Sequence, residues 1–258
     1  MVYQYFVNNP QQPSIDKEEE LQICDECDQL FCNSYDYMIT FEDESSTTIK
    51  SITKLKTKKP CLPVVAKAVE KSDKKDGIKC PVITFYDNLS FISVYNEDSG
   101  EYEALEEWNG DEGAQLFISF DEEKPKYCDE AAEVYDIKPS FVVYDLVKIM
   151  SIPPKNLKAE RSHWCFRITK DDKNPVLIEF DNFDGTKKAA SPEFLMALLL
   201  KQHLKVITAK LGTKQKHLSY AFPDLTDKEY NRVIGSLHKA SKLINVKVVP
   251  FSRKKCLL

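Results

Sequence analysis

Residues 191–251 read SPEFLMALLLKQHLKVITAKLGTKQKHLSYAFPDLTDKEYNRVIGSLHKASKLINVKVVPF. Ser191 is an N-cap type, Pro192 has the fixed φ that suits the first helical position, and the Glu193 carboxylate faces the positive end of the helix dipole. Phe194, Leu195, Leu198, Leu199, Val206 and Ile207 then form a wide apolar stripe, and Gly212 supplies the stop. A strand is expected at 218–222. Thr226 and Glu229 next make a capping box, and Tyr230, Val233, Ile234, Leu237 and Ile244 share one face of a second helix. A last strand is expected at 246–251. Helix, strand, helix, strand in this order needs a sheet to pack on.

That sheet is supplied upstream. Val82–Tyr86 and the runs at 91–95, 102–108 and 116–120 read as four consecutive strands, joined by turns carrying Asn, Asp and Gly. Helical spacing follows at 129–135 and 140–150, the second ended by Pro153 and Pro154. Two more strands, 164–169 and 176–180, pair across the polar 170–174 segment. The expected fold class is α/β, a mixed sheet with flanking helices, over residues 80–258.

Residues 1–79 differ in texture and read as an N-terminal extension. Residues 11–20 are polar and acidic, and 21–32 are rich in cysteine. The apolar stretches 35–41 and 47–55, separated by the acidic 42–46 turn, form an expected β-hairpin. Lysine-rich 56–59 and 71–79, the latter containing Gly77, read as loops or linker, which places a boundary near Lys79.

The chain has 258 residues, 42% hydrophobic and 30% charged, enough for one sizeable core or two small ones. No apolar run approaches the ~18 residues that span a bilayer, and residues 1–12 lack the cationic and apolar regions of a signal peptide. A cytoplasmic or nuclear protein with no membrane contact is expected, its eight cysteines reduced. Seven glycines weigh against phosphate-cradling Gly-rich loops, which need positions without a Cβ. The net charge of −5 hides a separation: residues 84–138 hold sixteen acidic and three basic side chains, residues 201–258 thirteen basic and three acidic. These segments attract each other, recruit partners of opposite charge, or form solvated faces.

Particular words in this order resemble the first lobe of the Hsp70 nucleotide-binding domain, the actin-like (ribonuclease-H-like) ATPase fold. Ser162-His163-Trp164-Cys165-Phe166 is similar to the family's Lys-His-Trp-Pro-Phe, and Val143-Tyr144-Asp145 to its Val-Phe-Asp. Ser191-Pro192-Glu193 opening a long helix that ends at Leu211-Gly212, and Leu243-Ile244-Asn245-Val246 before the last strand, complete the set over about 170 residues. The resemblance implies a nucleotide-binding half-domain, and it also shows what is replaced. Where the family has an Asp-Leu-Gly-Thr-Thr turn that admits phosphate, this chain has Thr84-Phe85-Tyr86-Asp87-Asn88, with a phenol for the glycine, Thr84 for the metal-organising Asp, and an extra anion at Asp87. The family's catalytic lysine falls on Val147, with Lys148 one position and ~100° away around the helix, expected to point elsewhere. Its catalytic Glu falls near Ser252, and no acidic residue occurs from 230 to 258. The second lobe, which completes the ATP site in the family, has no counterpart in these residues. The resemblance thus implies a pseudo-ATPase with no catalytic or cofactor-binding residues, kept as a protein-interaction surface whose partner is a chaperone-system protein, a full-length relative or a second copy. The apolar surface between lobes then needs a cover, such as the extension or another protein.

Other patterns carry less. Cys24, Cys27 and Cys32 have zinc-like spacing, but a fourth ligand is not evident, and reduced structural thiols are expected. Asp25, Glu26 and Asp28 would raise a thiol pKa, which argues against a redox pair. His163, His203, His217 and His238 show no catalytic spacing and read as satisfied core or surface side chains, and Trp164 as core packing with its N–H bonded to backbone. Lys201, Lys205, Lys210, Lys214, Lys216, Lys239, Lys242 and Arg253-Lys254-Lys255 define the alternative reading, a nucleic-acid-associated module that uses the basic C-terminal third. The ending Cys256-Leu257-Leu258 has its cysteine third from the end, one place short of a prenylation box.

Overall fold

The structure, a computed structural model, describes residues 79–157 and 164–250, together with four short strands N-terminal to them. The chain divides into two compact units, Met1–Pro60 and Cys61–Leu258. In the first, β1 (Ile23–Cys24) pairs antiparallel with β2 (Gln29–Leu30), and β3 (Tyr37–Phe41) with β4 (Ile49–Lys54). The β3–β4 pair is the hairpin expected around the acidic turn.

The second unit is built on a six-stranded mixed sheet. β5 (Val82–Tyr86), β6 (Leu89–Asn96) and β7 (Glu101–Ala104) follow one another as antiparallel neighbours, and β8 (Ala114–Gln115) continues beside β6. Two smaller three-stranded sheets come next in the chain. One has the order β10-β9-β11, from β9 (Ile118–Ser119), β10 (Lys126–Tyr127) and β11 (Val142–Val143); the other is β12 (Arg167–Thr169), β13 (Leu177–Asp181) and β14 (Lys187–Ala190). Helices α1 (Cys128–Tyr135) and α2 (Leu146–Ser151) lie within this stretch. The chain then returns to the main sheet through α3 (Pro192–Leu211), β15 (His217–Ala221), α4 (Asp227–Leu243) and β16 (Lys247–Val248). β15 lies parallel to β5 on one side and to β16 on the other, giving the order β16-β15-β5-β6-β7. Parallel neighbours need a crossover, and α3 and α4 supply it.

The helix ends follow the sequence. The Phe194 N–H donates to Ser191 Oγ, Gly212 takes a φ of 67°, and the Thr226 and Glu229 capping box is formed. Three expectations are corrected. The strand expected at 102–108 stops at Ala104 and turns through short 3₁₀ segments, because Trp108 is drawn into the core. The strand expected at 116–120 is only Ile118–Ser119 and belongs to a small sheet. The helix expected at 140–150 is a 3₁₀ turn (Pro139–Phe141), then β11, then α2. Val142 and Val143 are fully buried and pair with Ser119 and Ile118, and Asp145 interrupts the run with φ 57°. β14 is an addition that Lys187-Lys188-Ala189-Ala190 does not announce by any apolar alternation.

One cluster joins Ile83, Phe85, Ile92, Leu195, Leu199, Leu218, Tyr220, Val233 and Leu237 between the sheet and α3 and α4. Each such buried side chain contributes roughly 1.5–3 kcal/mol relative to exposure. A polar knot sits inside it. His203, with no exposed surface, donates from Nδ1 to the Leu199 carbonyl at 2.8 Å and accepts at Nε2 from Ser90 Oγ at 2.9 Å. The acceptor-only carbonyl fixes this tautomer. Trp108 Nε1–H donates to the same Ser90 oxygen at 3.0 Å and its ring lies 4.3 Å from the imidazole. His203 is therefore a satisfied core histidine, as expected.

Burial without a counter-charge lowers the His203 imidazole from 6.5 to about 4, against a smaller opposing effect of the Leu199 carbonyl. The unfolded chain binds this proton first, so the stability is full above pH 6.5 and lost as pH falls toward about 4. Over that window the loss from this group is about 3 kcal/mol. Urea unfolding measured at intervals from pH 7.5 to 4.5 should show that decline, and His203→Gln should flatten it while lowering stability at pH 7.5.

Candidate functional site at the β5–β6 turn

The C-terminal ends of the central parallel strands are where an open α/β sheet offers a site. Here that end is formed by the Asp87-Asn88 turn after β5, the Pro223-Asp224 loop after β15, and Asp145 at the start of α2. Asn88 holds them together. Its Oδ1 accepts the Asp145 N–H at 2.9 Å, and its carbonyl accepts the Leu116 N–H at 2.8 Å. The Asp87 N–H donates to the Asp224 carboxylate. Trp164 Nε1–H donates to Asp145 Oδ2 at 2.9 Å, and its ring stacks 5.7 Å from Phe166. The expectation that the Trp164 N–H would bond to backbone is thus corrected to a carboxylate partner, while its packing role holds.

The turn is a place of excess negative charge. Withdrawal from water raises the Asp87 carboxyl most, even though the side chain still meets solvent, and the neighbouring Asp145 and Asp224 charges raise it further while Lys148 opposes them. Burial likewise raises the Asp224 carboxyl. Two carboxylates close to a third disfavour its ionised form, and one exposed ammonium does not cancel them.

The sequence-derived positions fall as follows. Thr84 is fully buried in β5, and its Oγ1 has no hydrogen-bond partner among the described residues. Tyr86 stands at the strand's end, 38% exposed. Val147 is buried in α2, whereas Lys148 is exposed and its charge opposes the rise of the Asp87 carboxyl. Ser252, His163 and the side chains of Cys24, Cys27 and Cys32 lie outside the described residues. Among the described residues no group of three or more His, Cys, Asp or Glu is arranged to hold a metal ion, and no helix is long and apolar enough to cross a membrane. Sequence reasoning missed the gathering of Asp145 and Asp224 at Asp87. Only the pairing of β5 with β15 and the break before α2 bring them together. From the basic third, Lys210 pairs with Glu107 at 3.0 Å and Lys239 with Glu193 at 3.2 Å; the first of these ties the basic segment to the acidic one.

Compared with known protein families, the chain matches no family model. Compared with characterised proteins, it matches no relative.

The Asp87 carboxyl is raised in the fold, so its ionisation weakens the folded state once pH rises past the ordinary aspartate value of 3.8. Its φ of 50° also suits asparagine. Asp87→Asn should therefore stabilise the protein by about a few tenths of a kcal/mol at pH 7, the usual scale for a partly solvated charge. The gain should vanish at pH 3 in paired denaturant titrations.

Proposed function

We propose that residues 80–258 are a degenerate ATPase lobe, similar to the first lobe of the Hsp70 nucleotide-binding domain. On this reading the protein is a non-catalytic protein-interaction module, a scaffold or regulator within a larger complex. The observation that carries the reading is the main sheet. Three antiparallel strands run in hairpin order, and two parallel strands are added on the far side of β5 by the helical crossovers α3 and α4. A mixed sheet with helices packed on it is the coarse architecture that the reading requires. On this reading the β5–β6 turn corresponds to the phosphate-receiving turn of the resembled family.

The chemistry of that turn supports loss of hydrolysis. Phosphoryl transfer needs cations and backbone donors positioned around the phosphates. The turn instead offers a phenol and three carboxylates faced by one lysine, a field that repels polyphosphate. The Asp87 N–H is not free to serve as a donor, because it is engaged by the Asp224 carboxylate.

Titration of the full chain with ATP and Mg²⁺, followed by calorimetry, should give no saturable heat up to millimolar nucleotide. Saturation in the micromolar range would contradict the pseudo-ATPase reading.

A further inference from the structure

The charge separation along the chain reappears as two neighbouring helices of opposite sign. α1 turns Glu130 and Glu133, three positions apart, to solvent, and α3 does the same with Lys201 and Lys205, four positions apart. Three contacts hold the acidic surface beside α3. The Tyr127 side chain, just before α1, hydrogen-bonds that of Gln202, and Lys210 pairs with Glu107 at 3.0 Å. Two residues further on, Asn109 Nδ2 donates to Asp129 Oδ2 on α1 at 3.3 Å, which ties the Glu107 turn to that helix. Yet none of Glu130, Glu133, Lys201 and Lys205 has an ion-pair partner among the described residues. Each charged stripe also leads to an exposed apolar side chain. Ile137, four positions after Glu133, is 80% exposed, and Phe194, seven positions before Lys201, is 50% exposed.

The alternation of sign limits what can cover such a surface. A nucleic acid or an acidic peptide suits the lysines and is repelled by the carboxylates beside them, and a basic peptide meets the reverse conflict. A partner that satisfies both stripes carries both signs side by side. A second copy, rotated by a half-turn, presents that arrangement, with the acid of each copy against the base of the other. We propose that this surface is an isologous dimer interface, in which α1 of each copy lies against α3 of its partner. Exposed ion pairs add little affinity on their own, so Glu130, Glu133, Lys201 and Lys205 set register and choice of partner, while Ile137 and Phe194 supply apolar area to bury. The inference rests on the reading of this unit as an interaction module and gives it a partner. Neither stripe includes a residue of the β5–β6 turn, so nucleotide binding and dimerisation fail separately.

Sedimentation velocity of the full chain at low ionic strength should show a monomer–dimer equilibrium that weakens as salt is added. Lys201→Glu with Lys205→Glu, and separately Glu130→Lys with Glu133→Lys, should each weaken the dimer by about tenfold or more. An equimolar mixture of the two variants should restore it as a heterodimer, because the reversed stripes are again complementary. A wild-type chain that stays monomeric up to about 100 μM overturns the proposal, whether or not it takes up an RNA or DNA oligonucleotide. So does a dimer that persists undiminished in both variants, or a mixture that stays monomeric. Should circular dichroism show that a charge-reversed variant does not fold, Ile137→Ser decides: a dimer weakened by about tenfold upholds the interface, and an unchanged one overturns it.

Discussion

The pairing of β15 with β5 is the constraint on which the second unit depends. Ser219, Tyr220 and Ala221 register against Val82, Ile83 and Thr84, residues more than 130 positions apart along the chain. Closing so long a loop costs entropy, and the ladder hydrogen bonds offset little of it. The return comes from what the pairing buries. Once β15 lies beside β5, Tyr220 and Leu218 extend the apolar surface begun by Ile83 and Phe85, and α3 and α4 cover both at once. The Tyr220 hydroxyl to Ser241 contact at 2.7 Å then ties strand to helix, and Arg232 on α4 reaches the Ser151 carbonyl at the end of α2. The two small sheets hang between these ends, with Phe120 stacked on Phe180 at 4.1 Å to hold one to the other.

The same pairing makes the acidic turn. Asp87 and Asp224 are each the first acidic residue after their strand, so parallel neighbours must present both at one end of the sheet. Asp145 joins them because Val142 and Val143 are taken into β11, which leaves the chain to reverse at a left-handed residue before α2. The cost of gathering these charges is borne by the hydrogen bonds of Asn88, the Asp87 N–H and Trp164, each of which serves the backbone or one carboxylate. Such an arrangement is stable as a turn and hostile to anions, and both properties follow from the topology rather than from any one residue.

Legibility in the sequence followed the strength of local signals. Ser191-Pro192-Glu193, Gly212 and the Thr226–Glu229 box are chemical statements about helix ends, and the structure has each of them. β5, β6 and β15 were visible because alternating or continuous apolar runs have few other uses. The failures share a cause. Residues 116–120 and 140–150 are apolar enough for either period, and their fate was decided by long-range pairing of Ile118 and Ser119 with Val142 and Val143. β14 carries two lysines and two alanines, so only the hydrogen bonds of β13 make it a strand. The acid cluster was illegible for the same reason. Its members are 58 and 79 positions apart along the chain, counting from Asp87 to Asp145 and from Asp145 to Asp224.

With one face of the sheet filled by α3 and α4 and the other buried, the edges of the main sheet remain as exposed backbone. β7 is an edge, and Glu101, Glu103 and Ala104 along it are exposed. Two such strands from two copies would set carboxylates against carboxylates, which blunts the edge against pairing with itself. β16 at the opposite edge carries Lys247 and is only two residues long. Neither edge offers a long apolar template. Exposed apolar side chains occur in the inserted portion, at Ile137 after α1, 80% exposed, and Phe183 in the β13–β14 connection, and also on the helices that cover the sheet, at Phe194 on α3 and Leu243 on α4. Asp181 on β13 bonds Ser140 beside the loop that carries Ile137, so both residues belong to the portion inserted between β8 and α3. The main sheet is thereby the scaffold of this unit, and the apolar side chains left at its surface are shared between the inserted portion and the ends of α3 and α4.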